Sequence, residues 1–192
     1  NELTPELAED IGIMVGDGNI GFFNGPGNGN YEIAVTGNMI TDYRFLSDYV
    51  RQLKFKLFGA EFHFQERIEI KTCRLRLYSK ALVNFYNKVI GLPLGSKKNI
   101  TIPKVIMNSD HQIKKSFIKG LGDTDFTFAF KKRDKKVLYY PTIKLGTSSR
   151  ELVINVKKLL NSIGFKPLIY CDIERIHSKT QRQFITHQLE LN

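Results

Sequence analysis

One segment of this chain occurs twice. DIGIMVGDGNIGFF, residues 10–23, returns as IKGLGDTDFTFAF, residues 118–130, with Gly12 matched by Gly120 and Asp17 by Asp125, each 108 positions later. YEIAVTG (31–37) is echoed by YPTIKLG (140–146), and Phe58-Gly59 by Ile163-Gly164. Correspondences that keep one order while their offsets drift by a few residues are what a duplicated unit with unequal loops leaves behind. The chain must therefore build one α/β unit twice.

Each copy follows the same coarse plan. Thr4 and Pro5 suit the cap and first position of a helix, and Leu7, Ile11 and Met14 recur at the helical period. In the second copy Ser109 and Gln112 fit a capping box ahead of Ile113, Phe117 and Leu121. Two strand-like runs follow each helix, near 19–24 and 30–36 and near 125–131 and 137–145, joined by GPGNGN and by the charged turn KRDKK. A longer amphipathic helix is predicted after each pair, near 40–58 and 148–163. A boundary pattern of 1–91, a linker over 92–108, and 109–192 results.

In KTCRLRLY, Thr72, Arg74, Arg76 and Tyr78 alternate with Cys73, Leu75 and Leu77. In the second copy Thr127, Ala129 and Lys131 alternate with Phe126, Phe128 and Phe130. Period two places each polar set on one sheet face and each apolar set on the other, predicting a dry face against helices and an open cationic face. Either strand alone reads as a solvated sheet face; two in related copies read as a nucleic-acid platform. The charge agrees, since 29 Lys and Arg against 19 Asp and Glu leave a formal net charge of +10, which favours a polyanionic partner. Cys73 and Cys171 are too few for a disulfide framework or a four-cysteine zinc site and read as buried thiols. With no apolar run of membrane-spanning length and no signal-peptide pattern, an intracellular protein, cytoplasmic or organellar, without a membrane partner is expected.

What ends the first helix of each copy carries the chemistry. Gly12 and Gly16, like Gly120 and Thr124, are four residues apart, so each pair gives its helix a small-residue face that permits close backbone approach. Gly16-Asp17-Gly18 alone could be a simple helix cap and turn, but that does not explain an aspartate at the equivalent place in the second copy. Two such helices packed side by side would bring Asp17 and Asp125 out together, at the negative ends of the helix dipoles. Divalent cations would relieve that repulsion. Carboxylate, water and phosphate oxygens make a Mg²⁺ site suited to phosphodiester hydrolysis.

The two segments resemble the paired motifs of the LAGLIDADG homing endonucleases, and the resemblance extends over nearly the whole chain. GLPLGSKKNITIP (91–103) resembles the linker of single-chain members of the archaeal, intron- and intein-associated type. The resemblance implies a mixed α+β fold, a pseudo-twofold tandem αββαββα repeat with two antiparallel saddle sheets, acting as a monomer. It implies site-specific cleavage of both strands of double-stranded DNA by Mg²⁺-bound water, with two or three divalent ions, in intron or intein homing. Asp17 and Asp125 become the metal ligands, with Gly16 and Thr124 contributing beside them, and Lys97 the solvent-organising lysine, although Lys98 is adjacent. Lys71, Thr72, Arg74, Arg76, Lys131, Lys132, Arg133, Lys144 and Arg182 become the DNA-contacting set. The alternative on the same scaffold is an RNA-splicing maturase with intron RNA as partner, or a DNA-binding protein that does not cleave.

The chain departs from the family pattern in three places. Phe126 stands where glycine usually follows the acid, and Gly37 and Gly146 stand where Gln or Lys is frequent. The span from Asp17 to Gly91, laid off from Asp125, overruns Asn192, so a second closing helix is not expected within these residues. His63, His111, His177 and His187 share no metal spacing and read as surface or phosphate-contact residues. Asp10 and Asp123 fall on other helical faces than the motif acids.

Overall fold

The computed structural model describes residues 2–23, 30–132, 138–178 and 180–192. By its contacts the chain forms two compact units, one of Asn1–Ser96 with Pro103–Thr124, the other of Lys97–Ile102 with Asp125–Asn192. The second motif helix, up to Thr124, thus clusters with the elements of the first copy. No helix among the described residues is long and apolar enough to cross a membrane.

The first unit opens with α1 (Pro5–Gly16), where Thr4 Oγ1 accepts the amide of Leu7 at 3.2 Å and Pro5 takes the first position. The helical period predicted one apolar stripe, but every residue from Ala8 to Val15 is buried. The cause lies partly in a close crossing with α5 (His111–Asp125). A Cβ built on Gly12 would stand 2.2 Å from the Phe117 carbonyl oxygen, and one on Gly120 would stand 2.0 Å from that of Glu9. Backbone meets backbone there, so both positions demand glycine. The capping box predicted for α5 does not form. Asp110 Oδ1 accepts the amide of Ile113 at 2.9 Å, while Ser109 Oγ donates to the Val105 carbonyl and closes the short α4 (Lys104–Met107).

Strands β1 (Gly18–Phe23), β2 (Asn30–Asn38), β3 (His63–Arg67) and β4 (Thr72–Tyr78) form an antiparallel sheet in the order β1-β2-β4-β3. Its apolar face buries Ile20, Ile33, Val35, Cys73 and Leu75. The helix predicted from residue 40 starts slightly later, because Asn38 Oδ1 accepts the amide of Ile40 and forms a turn instead. A π-helical stretch (Phe45–Val50) then leads into α2 (Arg51–Phe58), which Gly59 ends at φ +61°. Ser79 caps α3 (Lys80–Asn84), continued by a π-helical turn (Phe85–Ile90). Between these elements lies a buried polar cluster that the sequence did not announce. Lys54 Nζ donates to Asp10 Oδ1 at 2.6 Å with both side chains fully buried, Tyr86 donates to the other Asp10 oxygen, and the Phe62 and Tyr86 rings flank the ammonium.

The second unit repeats the sheet with β5 (Phe126–Lys132), β6 (Leu138–Thr147), β7 (Leu168–Ile176) and β8 (Gln183–Leu191), ordered β5-β6-β8-β7. Helix α6 (Arg150–Ser162), capped by Ser149, packs on β6, β7 and β8. Leu145 and Leu189 of the sheet are buried, as are Leu152, Val153, Val156, Leu159 and Leu160 of the helix. Segment 97–102 is stitched to this unit: Ser149 Oγ donates to the Ile100 carbonyl at 2.6 Å, and Asn155 Nδ2 to Thr101 Oγ1 at 2.7 Å. Residues 126–131 divide between the faces as the alternation predicts, but the phenylalanine face is not dry. Phe128 and Phe130 are 61% and 51% exposed, their rings touching edge to face, because the helix covers the other three strands and leaves β5 at the margin.

Register also corrects the pairing of the copies. Gly18 faces Val35 in the first sheet and Phe126 faces Leu145 in the second, so Val35 corresponds to Leu145 and Gly37 to Thr147 rather than to Gly146. One residue matters here, because it exchanges the two faces. The Phe126 departure finds its reason as well. In the first copy the chain turns tightly after Asp17, and a Cβ on Gly18 would stand 2.4 Å from Met14 Cα; in the second, α5 runs through Asp125 and β5 begins directly at Phe126.

Gly120→Ala is expected to destabilise the protein by about 3 kcal/mol, the upper end of overpacking penalties, in denaturant unfolding. Gly146→Ala, with nothing within 4 Å of the added carbon, serves as a near-neutral control. Lys54→Met should cost about 3–5 kcal/mol by stranding a buried carboxylate, and adding Asp10→Asn should recover part of that loss. The Cys73 thiol is buried and lifted above its ordinary range, first by burial and then by the Asp42 carboxylate. A thiol-specific reagent at neutral pH should therefore label Cys171, which is half-buried, and spare Cys73 until the protein unfolds.

Candidate active site and nucleic-acid interface

The two motif acids sit at helix ends for local reasons. Asp17 caps α1, its amide donating to the Ile13 carbonyl at 3.0 Å and its carbonyl accepting Thr36 N–H at 3.3 Å, so helix and sheet jointly hold it. Asp125 is the final residue of α5. Just before it, Thr124 Oγ1 bonds back to the Gly120 and Leu121 carbonyls. Both acids are half-buried. Burial lifts the Asp125 carboxyl above the usual carboxylate range, and the Lys97 ammonium opposes that rise. Of the predicted catalytic residues, the second unit therefore holds Lys97 within electrostatic reach of Asp125. The preceding residues are tied to β1 of the first unit, where Gly95 N–H donates to the Ile20 carbonyl at 2.8 Å.

Asp17 and Asp125 offer hard oxygen donors, and the described residues contain no group of three or more His, Cys, Asp or Glu able to hold an ion alone. Each carboxylate by itself suits a divalent cation whose remaining ligands are water and phosphate oxygens. It does not suit a thiolate- or imidazole-bound metal.

The predicted contact residues divide by sheet. On the polar face of the first, Arg74 Nη2 bonds Glu32, Arg76 stands 3.9 Å from the same carboxylate, and Arg76 also donates to Tyr78 Oη at 3.0 Å while stacking on that ring. Thr72 Oγ1 and Arg74 Nε are buried with no hydrogen-bond partner among the described residues. Lys71 is exposed at the left-handed position before β4. On the second sheet Lys131 bonds Glu190, and Lys144 lies 4.0 Å from the same acid. Lys132 and Arg182 are exposed, whereas Arg133 lies outside the described residues.

Several residues behave otherwise than the sequence suggested. His187 is buried, not a surface residue, because β7 bulges at Asp172 (φ +58°) and the displaced Asp172 amide donates to His187 Nδ1 at 3.0 Å. Glu32 and Glu190 were missed. Each is a single acid among apolar and polar strand residues, and only the cross-strand register brings the cations to it. A second missed cluster joins α1 to α5. Lys119 Nζ donates to Glu9 at 2.7 Å and to Tyr49 Oη at 2.5 Å. Burial works against the Lys119 charge, but these two partners outweigh it and raise its pKa.

No protein-family model and no curated protein matches this sequence. Solved structures do match. Two four-stranded antiparallel sheets with their helices, on the plan described above, are the fold of the LAGLIDADG homing endonucleases. The homing endonuclease I-DmoI, solved in complex with DNA and Ca, superposes at a TM-score of 0.67 with 16% identity, over 100% of this chain and 85% of that one. The I-LtrWI LAGLIDADG homing endonuclease, bound to target DNA, matches at 0.52 with 12% identity, over 97% of this chain and 78% of that one. Meganuclease I-SmaMI, bound to uncleavable DNA, matches at 0.52 with 11% identity, over 100% and 79%.

Proposed function

We propose that this protein is a site-specific DNA endonuclease that hydrolyses phosphodiester bonds with divalent metal ions, Mg²⁺ in the cell. The observation that carries the reading is the recurrence of one arrangement in both copies: a motif helix ending in an aspartate, followed by a four-stranded sheet with cations on its polar face. It gains support from the structural neighbours, which include I-DmoI solved with DNA and Ca and with DNA and Mn, and a variant of I-DmoI solved with its target DNA in the presence of Mg.

On this reading Asp17 and Asp125 hold the cations through their carboxylates, with Gly16 and Thr124 lending main-chain oxygens at the same helix ends. The bound metal would supply an activated water and charge stabilisation at the scissile phosphate. Lys97 keeps a positive charge beside Asp125 and orders solvent there. Lys71, Thr72, Arg74 and Arg76 of the first sheet, with Lys131, Lys132, Lys144 and Arg182 of the second unit, contact duplex DNA; Arg133 completes the proposed set. Phosphate contacts fix the protein on the duplex, and base-edge contacts select its sequence. A chain that carries both copies needs no second subunit to supply both acids, so it acts as a monomer, in intron or intein homing.

The test is a cleavage assay with Mg²⁺ on duplex DNA carrying the insertion-site sequence that flanks the gene. Wild type is expected to cut both strands, and Asp17→Asn and Asp125→Asn each to abolish double-strand cleavage. Lys97→Met should slow cleavage by about 10²-fold, the lower range for a positioned proton-handling group, with DNA affinity unchanged. Salt-sensitive binding without cleavage in the wild type would instead favour a maturase or regulator, the reading that Phe126 beside Asp125 keeps in view.

A further inference from the structure

Each sheet carries the same device, built from different positions. In the first, Glu32 on β2 stands opposite Tyr78 on the polar face and meets both Arg74 and Arg76 of β4. In the second, Glu190 on β8 stands opposite Lys144 of β6 on the corresponding face and also meets Lys131 of β5. Both carboxylate side chains are nearly inaccessible, at 5% and 4% exposure, whereas their cationic partners keep between 21% and 37%. The acids are not repeat-equivalent. Leu75 pairs with Val35 as Leu189 pairs with Leu145, so Glu190 occupies the place of Arg76, and Lys144 that of Ala34. Inheritance from one ancestral residue therefore does not explain the match. Two different strands supply the acid, and the outcome is the same: one buried carboxylate holding two cations of the face.

We propose that Glu32 and Glu190 are specificity-determining residues that keep these cations from generic phosphate and commit them to base edges. The inference rests on the reading of these faces as DNA-binding. Any duplex offers phosphate, and a phosphate that drew Arg74 or Lys131 away would leave a buried carboxylate unpaired beside another anion. Mismatched DNA is thereby penalised, which sharpens discrimination without adding a contact to the correct site. A base edge makes no such demand. An arginine bonded to a carboxylate through one nitrogen still has donors in its planar fork for an acceptor pair such as guanine O6 and N7. Arg74 fits that description, since a single nitrogen, Nη2, serves Glu32 while the side chain keeps 21% of its surface exposed.

The experiment measures binding of full-length wild type, Glu32→Gln, Glu190→Gln and the double variant to a mixed-sequence duplex across a salt series, with EDTA present to prevent cleavage. Glutamine keeps size and hydrogen bonding but removes the charge. Each single variant should bind the mixed duplex about tenfold more tightly at low salt and steepen the slope of log affinity against log salt by about 1 to 2, as freed cations displace counterions. Selection from a random duplex pool should return a sharp consensus with wild type and a degraded one with the double variant. Unchanged affinity and slope in both single variants would overturn the proposal. So would a fall in melting temperature with an unchanged slope, which is the signature of acids that only stabilise the sheets. Should the glutamine variants fail to fold, Glu32→Asp and Glu190→Asp keep the charge but shorten its reach, and the same steepened slope is expected of them. Wild type with no salt-dependent DNA binding would refute the nuclease reading itself, an outcome distinct from a wild type that binds and variants that match it.

Discussion

The first unit depends on one contact, the crossing of α1 and α5 at Gly12 and Gly120. Helices with ordinary side chains at the contact stay roughly 8–10 Å apart; here each glycine rests against the other helix's backbone, with the carbonyl oxygens of Phe117 and Glu9 where side chains would otherwise stand. Because α5 belongs to the second copy in sequence and to the first unit in space, this crossing builds the second copy's motif helix into the core of the first unit. It also makes α1 a helix buried all round, which is why no single apolar stripe describes it.

A helix buried on every side must satisfy its own polar residues, and two clusters do so. Asp10 takes Lys54 from α2 and Tyr86 from the turn after α3, and Glu9 takes Tyr49 and Lys119. Burial raises both tyrosine hydroxyls above their ordinary range, as does bonding to a carboxylate, so each remains protonated and a donor at physiological pH. A fully buried ion pair adds little net stability once desolvation is counted, yet losing one partner is expensive. Such a cluster therefore fixes which faces of α1 meet α2 and α5 more than it strengthens the fold, and α1 in turn carries Asp17 at its end.

The sheets apply the same electrostatics at a surface. Cations that period two alone would leave projecting into solvent are gathered onto Glu32 and Glu190. The count of 29 Lys and Arg consequently overstates the cations that stand free to meet a polyanion. A basic chain and a restrained basic surface are compatible when carboxylates are buried at the right register.

What the sequence determined by itself was mostly local or repeated: the duplication, two strands and then a longer helix after each motif helix, the division of residues 72–78 and 126–131 between two faces, and an aspartate at the end of each motif helix. Backbone period, small residues and helix ends are written within a few neighbouring positions, so they can be read in one dimension. Only the tertiary structure decided which residues meet across the fold. Asp10 finds Lys54, Glu32 finds Arg74, and His187 is buried by a bulge fifteen residues away, none of which any local spacing encodes. It also decided that Phe128 and Phe130 stay exposed, since alternation tells which residues share a face but not whether a helix reaches it. The one-residue error in matching Gly37 to Gly146 has the same origin, because similarity along the chain tolerates a slip that hydrogen-bond register between strands does not.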